Sequence, residues 1–477
     1  MSQTLSSTVF LNIVALILTV MPQLTSNAAE PADGPGTYLA RAEAIVAKIQ
    51  EPVFPERDFL ASDFGALGDG TTDDRAAIQG AIDACSRAGG GRVLLESGVY
   101  YLRGPIELKS HVNLHLPEGT HLRFSGIPED FLPPVLTRWE GTLVYNYSPM
   151  IYARHARNVG LTGTGKIDGN AEKSFASWRA RQRNDQNMLR EMGGRQHPVH
   201  NRVFGGGHFL RPSLVQFMGC SRILVDGPTF VDSPFWIIHP VFSEHITIRN
   251  IVCESLRLNN DGIDPDSSSY VLIENSTFRV GDDAVAIKSG RDDEGRRLGV
   301  PSENIVIRNN FFESVHNGVA IGSEMSGGVR NVYLHGCTVG SGRNLIYFKS
   351  NLDRGGIIEE VFVWDIEVEV SRLALIRFRT DYHSHRGGRH IPVFRHFRLE
   401  DIRAEKVEQF AIKVEGHRDA PVEDVRLRNI SVKEALIPVD INPWDEVQME
   451  EVYINGKPAQ PVDLSREEIK AILEARS

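Results

Sequence analysis

From about residue 92 to residue 456 the chain repeats one short unit, and this limits its fold more than any other feature. Runs such as "HITIRNIVCES", "YVLIENSTFRVGDD", "NIVIRNNFFES", "NVYLHGCTVGS" and "DVRLRNISVKE" each hold a few β-branched residues, a polar Asn or Gly position and a second short run. Most begin 23 to 36 residues after the one before. Evenly spaced short strands fit a sandwich, a barrel or a solenoid. The strands are very short, the Asn of "IRN" and "IEN" recurs at one place in the unit, and the unit length suits one coil plus a variable loop. All three features favour an all-β, right-handed parallel β-helix whose coils bury their inward side chains against each other.

The ends of the repeat carry the helical signals. "YLARAEAIVAKI" reads as a short amphipathic helix within an N-terminal extension, residues 29–59. Within "DFGALGDGTTDDRAAIQGAIDACSRAGGGRVLL", Thr72 or Asp73 is expected to cap a helix from Asp74 to Ala88, and Gly89 to Gly91 to end it. Its apolar residues Ala77, Ile78, Ala81, Ile82 and Cys85 recur at intervals of three and four, so this helix should cover the open first coil. "LSREEIKAILEAR" predicts a second terminal helix in a tail over 457–477. Between them the helix signal nearly vanishes. No linker is visible, so residues 60–456 form one domain, with projecting loops at 127–148, 168–212 and 377–395.

Residues 1–28 lack Lys, Arg, Asp and Glu and contain "VFLNIVALILTVM", followed by Pro22 and small residues, with Ser26 and Ala28 set for cleavage. This predicts a signal peptide and a secreted or periplasmic protein. Thirteen apolar residues broken by Asn12 are too few to span a bilayer, so no membrane span is expected in the mature chain. Cys85, Cys220, Cys253 and Cys337 match neither a zinc spacing nor a dense disulfide scaffold and read as free buried thiols. A net charge of −10 argues against nucleic acid as partner. The chain is expected to act as a monomer.

Two adjacent carboxylates, Asp282 and Asp283, stand in the strand-like "VGDDAVAIK". Residues one coil apart lie about 4.8 Å from each other, and Asp261 of "NNDGIDPD" precedes the doublet by close to one coil. The three acids should share a patch at a strand-to-turn corner, where repulsion raises at least one pKa. An acid beside a base is what glycosidic hydrolysis needs. His316 in "SVHNGVAIGSE" and Lys349 in "LIYFKSNLDRGG" follow at further steps of 33 residues and extend the column. Such a face suits an anionic sugar.

"NNDGIDPDS", "GDDAVAIKSGRD", "HNGVAIGSEMSGGVRNV" and "KSNLDRGG", together with "SPFWIIHP" and the N-terminal "DFGALGDGTTDD" segment, resemble glycoside hydrolase family 28, the polygalacturonase family, over about residues 60–456. The resemblance implies a β-helix and inverting, metal-free hydrolysis of α-linked galacturonosyl or related uronic acid bonds in a pectic poly- or oligosaccharide. It implies Asp282 as general acid, Asp261 and Asp283 as the pair activating water, and His316 as support for the acid. It also implies Lys349 as a carboxylate ligand, and inversion calls for acid and base about 6.5–9.5 Å apart. The family's arginine two residues before that lysine is here Tyr347, and the glycine after its histidine is Asn317. A tyrosine cannot grip a carboxylate with two parallel hydrogen bonds, so Arg354 or Arg343 is expected to substitute. The His- and Arg-rich stretch 377–390 could wall one end of the cleft and make the enzyme exo-acting. A lyase on the same architecture, a hydrolase of a non-uronate pectic sugar such as rhamnose, and a non-catalytic solenoid are the alternatives.

Overall fold

The computed structural model describes residues 34–383 and 385–475. The expected signal peptide lies outside the described residues. Among the latter, no helix is long and apolar enough to cross a membrane.

The chain winds into a right-handed parallel β-helix with three faces. The first face stacks strands such as Ser221–Asp226, Glu244–Arg249, Ser269–Glu274 and Ser302–Arg308 in parallel register. The second stacks Thr229–Val231, Val252–Ser255, Thr277–Val280 and Phe311–Ser314. The third runs from Ile106–Leu108 through Ile151–Arg154, Val215–Met218 and Ile238–Val241 to Val285–Ile287 and Asn317–Gly322, with Ile263 bridging the last gap. From Val329 on, the strands Val329–Lys349, Ile357–Arg379, Val393–Glu415 and Val422–Ile441 each continue around all three faces.

The repeat dictates this winding. Alternate side chains point inward, so Leu161, Val225, Ile248, Ile273, Ile307 and Leu334 form one buried column, each stacked on the next. Each such side chain contributes about 1.5–3 kcal/mol of burial. The recurring asparagines turn the corner: Asn250, Asn275 and Asn309 follow three successive first-face strands at φ of 56°, 52° and 54°. Asparagine tolerates this left-handed conformation better than most residues.

Among the described residues five α-helices decorate the coils: α1 Pro35–Val46, α2 Arg75–Arg87, α3 Arg183–Gly194, α4 Asp292–Leu298 and α5 Arg466–Glu474. α2 buries Ile78, Ala81, Ile82 and Cys85 across the first coil, as its periodicity predicts. Its N-cap position is Asp74, whose carboxylate ties the preceding turn by accepting from the backbone N–H of Leu67 and Gly68 at 2.7 and 3.0 Å, while the Asp73 carboxylate accepts from the Arg75 N–H at 3.2 Å. α1 lies outside the first face, with Tyr38, Ala42 and Ile45 against Leu272, Val306 and Phe362. α5 opens with a Ser465–Glu468 capping box and packs Ile469 on Ala374, Phe410 and Ile437 of the last coils. All four cysteines are free and buried.

Two of the expected loops are more ordered than the sequence suggests. Residues 127–148 fold into an antiparallel hairpin, Val135–Trp139 with Thr142–Asn146, joined by Val203–Phe204 from the second insertion. The second insertion also holds α3, and α4 interrupts the coil after the acid doublet. α3 buries Asp185, Leu189 and Gly193, sets Leu189 and Met192 against Trp139 and Val144 of the hairpin, and is also tied down by polar contacts such as Arg190 to Asp292 at 2.7 Å. The third opens and closes in strand, since Arg377 and Arg379 belong to a strand of the third face and Val393 begins the next strand.

Candidate active site

The third face gathers the acids. Ile263 bridges Val285 and the Gly262 N–H donates to the Asp283 carbonyl at 2.9 Å, so Asp261 stacks on Asp283. One carboxylate oxygen from each of Asp261, Asp282 and Asp283 lies within 4.8 Å of the other two. This is closer than the acid–base spacing expected above. The reason is architectural: carboxylates on neighbouring rungs inherit the strand spacing.

The three are not equivalent. The half-buried Asp282 accepts from the Asn259 N–H at 3.0 Å through one oxygen. Burial pushes Asp261 well above the ordinary carboxylate range, with Asp264 and Asp282 adding to the rise, and its Oδ1 has no hydrogen-bond partner among the described residues. Burial also raises Asp283, but the Lys349 ammonium at 2.8 Å, helped by Lys288, outweighs it and holds the carboxyl below its usual range. Asn317 donates to the other oxygen of Asp283, and Asn344 donates in turn to Asn317. The asparagine that replaces the family's glycine thus clamps an acid.

His316 stacks on Asp282: its N–H donates to the Asp282 carbonyl at 2.9 Å. Arg343 Nη1 lies 3.2 Å from His316 Nε2. A guanidinium only donates, so Nε2 accepts and the ring is neutral, with its proton on Nδ1. Burial, the largest influence, lowers its pKa in keeping with this.

Lys349 does not stack on His316, as the equal 33-residue steps suggested. Val285 pairs with Val319, a step of 34, but Gly322 pairs with Lys349, a step of 27. The difference arises because α4 lengthens one coil and nothing lengthens the next. Lys349 still reaches Asp283, by its length. Arg354 lines the cavity of the three acids. It is 2% exposed, and its guanidinium is occupied by Asp292, Glu324 and the Ser323 carbonyl. Arg343 is engaged with His316. The arginine beside Tyr347 is Arg377, its partner on the next rung, lying 4.8 Å over the tyrosine ring and tethered by Glu415 at 2.7 Å. Register, which single-strand spacing does not give, was needed to find it.

Lys288 was also missed, although it ends the "VGDDAVAIK" run. Burial disfavours its charge, but Asp264 at 3.5 Å, with Asp261 and Glu324 each at 3.8 Å, raises its pKa. It sits 4.7 Å over the Trp236 ring of the "SPFWIIHP" segment. The three acid oxygens are spaced as ligands of a cation could be, while Lys349 and Lys288 already bring positive charge to them.

Two cavities meet at Asp282, Lys349, Tyr382 and His383. One, of about 340 Å³, contains the three acids and is walled by Glu140 of the hairpin, Arg190 of α3 and Arg179. The other, of about 380 Å³, holds His316, Arg343, Tyr347, Arg377 and Arg379. The hairpin closes the first on its N-terminal side by lying on the outer side chains of the third face. Val135, Leu136 and Leu143 pack on Tyr152, Met218 and Val241, and Arg138 binds Asp266 at 2.9 Å. The stretch after Arg379 contributes Tyr382 and His383 beside both cavities, so it flanks the middle of the cleft rather than its end.

Known proteins share this sequence and fold. Glycosyl hydrolases family 28 matches residues 136–440, and the family described as Rhamnogalacturonase A/epimerase, pectate lyase-like, matches residues 60–115. A probable polygalacturonase of Vitis vinifera is 29% identical over 398 residues, spanning 80% of this chain and 75% of that protein. An exo-poly-alpha-D-galacturonosidase of Dickeya chrysanthemi is 27% identical over 299 residues, 56% of this chain and 48% of its own length. Among solved structures, a hyperthermoactive exopolygalacturonase from Thermotoga maritima matches with a TM-score of 0.85 and 40% identity, over 88% of this chain and 96% of that one. The chain therefore belongs to glycosyl hydrolases family 28 and is a glycoside hydrolase acting on O-glycosyl bonds.

Proposed function

We propose that the protein releases galacturonosyl units from the end of a pectic chain, with inversion. The observation that carries this reading is the meeting of three carboxylates with a cation-lined cleft that is covered on one side. Asp282, the least buried of the three, protonates the departing glycosidic oxygen. Asp261 and Asp283, stacked on one column, hold and deprotonate the water. Burial raises the pKa of Asp261 well above the ordinary carboxylate range, which makes it the stronger base of the pair toward that water. His316, neutral and aligned by Arg343, supports Asp282. Lys349 and Arg377 bind uronate carboxylates, with Tyr347 stacked beneath the guanidinium. Because two carboxylates share the water, inversion does not require the wider separation of a single acid and base. The polygalacturonase and exopolygalacturonase relatives support the substrate and the mode of action.

The test is turnover of oligogalacturonates by the purified chain, with NMR of the first-formed anomer. One small product of inverted configuration is expected, and Asp282→Asn should lower kcat by at least about 10²-fold. Retained configuration would overturn inversion, and an early ladder of mixed oligomers would overturn end-wise action. We also propose that residues 1–28 direct export and are removed, leaving the solenoid domain as a monomer. Mass spectrometry of the N-terminus of exported protein, with light scattering, tests this.

A further inference from the structure

The third face continues past the acids. Arg377 pairs with Lys413 and Lys413 with Asp440 on successive rungs. α5 lies along this end of the face. Between helix and coils is a cavity of about 650 Å³. It shares Arg377 and Arg379 with the cavity that holds His316, so a single groove runs from Asp282 to α5. Five rungs separate the two ends, about 24 Å at the strand spacing.

The far half of the groove is cationic. Arg377 and Lys413 are matched by Glu415 and Asp440. Arg418 and Arg466 are exposed and carry no ion pair among the described residues, and Lys470, which lines the cavity too, meets Glu474 one turn further along α5 at 3.6 Å. Trp444 presents a ring that is 38% exposed, fixed by its indole N–H donating to the Gly416 carbonyl at 2.7 Å. Arg418, Arg466, Lys470 and Trp444 line neither cavity that holds Asp282, and nothing in bond cleavage needs them.

We propose that this groove binds the leaving-group portion of an anionic sugar chain. Carboxylates of successive uronate residues meet Arg418, Arg466 and Lys470, and one sugar ring lies on Trp444. A contact five rungs from the acids favours long chains over short ones by tethering, without altering the chemical step. The inference rests on the galacturonate reading of the acids.

The experiment compares the full-length wild type with the Arg418→Ala/Lys470→Ala double variant, on trigalacturonate and on long oligogalacturonate. Kinetics on trigalacturonate should not change. KM on the long chain should rise about tenfold, the loss of two exposed charge contacts, and the difference should shrink in high salt. Equal KM for the two proteins on the long chain would overturn the groove. If the wild type cleaves no galacturonate, the substrate reading fails by itself. The groove is then judged by calorimetric titration of polygalacturonate into Asp282→Asn protein with and without the double substitution. Weaker binding in the double variant sustains the proposal, and equal binding overturns it.

Discussion

Asp283 and Lys349 form the charge pair on which the site is built, with side chains 1% and 11% exposed. Burial opposes the Asp283 charge, and Lys349 more than compensates. An acid whose folded pKa is depressed adds stability above its unfolded value, near 4, and loses that contribution as the pH falls through the folded value. Lys349→Met removes the largest lowering influence and leaves the buried carboxylate with Lys288, His316 and the Asn317 amide as its remaining support. The variant should lose about 3–5 kcal/mol at neutral pH. Its pH response should also weaken: with less to hold the Asp283 pKa down, the variant loses less stability than the wild type as the pH falls from about 7 to about 4. Thermal melts of both proteins across that range test this, and parallel profiles would contradict it. Arg377 permits a second residue-scale prediction. If it has taken over the absent arginine's task from the next rung, Arg377→Leu should cost about 10- to 100-fold in kcat/KM on galacturonate, the worth of a charge-assisted hydrogen bond. The loss should fall on KM and be much smaller on a methyl-esterified substrate. An equal loss on both substrates would mean that Arg377 does not read the carboxylate.

The strand-and-corner unit carries its own conformational signature. Asn275 sits at φ 52° after Ser269–Glu274. Asn275→Val should cost about 1–2 kcal/mol, the penalty for forcing a side chain of that shape into left-handed backbone, while Asn275→Gly should cost less. Chemical denaturation measures both, and an equal cost would show that the side chain, not the backbone, matters there. The same unit explains what the sequence made legible. Inward Ile and Val alternate with outward polar residues and corner asparagines, so the solenoid and its faces could be read directly. Asp261 could be set beside the doublet because no insertion separates their rungs. The step to Lys349 could not be read, because a coil's length is set partly by what it carries on its outside. α4 lies in one coil, and although acids open it, arginines close it and Gly299 ends it at φ 61°, it is too short to show an apolar period. Arg377, Asn344 and the clamp on Asp283 depend on cross-rung register and were hidden for that reason. The hairpin was hidden too, since its apolar residues pack on the outside of the coil rather than within it.

At the scale of the molecule, one continuous face has two different ends. Toward the N-terminus the outer side chains of Tyr152, Met218 and Val241 are covered by the hairpin, and Arg138 pins it to Asp266 and Ser267 at 2.9 Å each. Toward the C-terminus no such cover crosses the described part of the groove, which opens past Arg377 to α5. A sugar chain can therefore lie with its body over the C-terminal coils and its end against the hairpin, and only the terminal linkage then reaches Asp282. On the end-wise reading proposed above, this asymmetry selects the bond that is cut. Replacing residues 136–145 with a short Gly-Ser turn should open the covered end without touching Asp261, Asp282 or Asp283. Met218 loses its cover in that variant, and substituting it with Gln limits the apolar exposure. The expected result is a change in product pattern, from one small sugar to a ladder of oligomers, with a rapid fall in the viscosity of polygalacturonate. A cooperative melting transition would show that the coils remain stacked. A variant that melts cooperatively, still cleaves, and still yields one small product would show that the hairpin does not set the mode of attack.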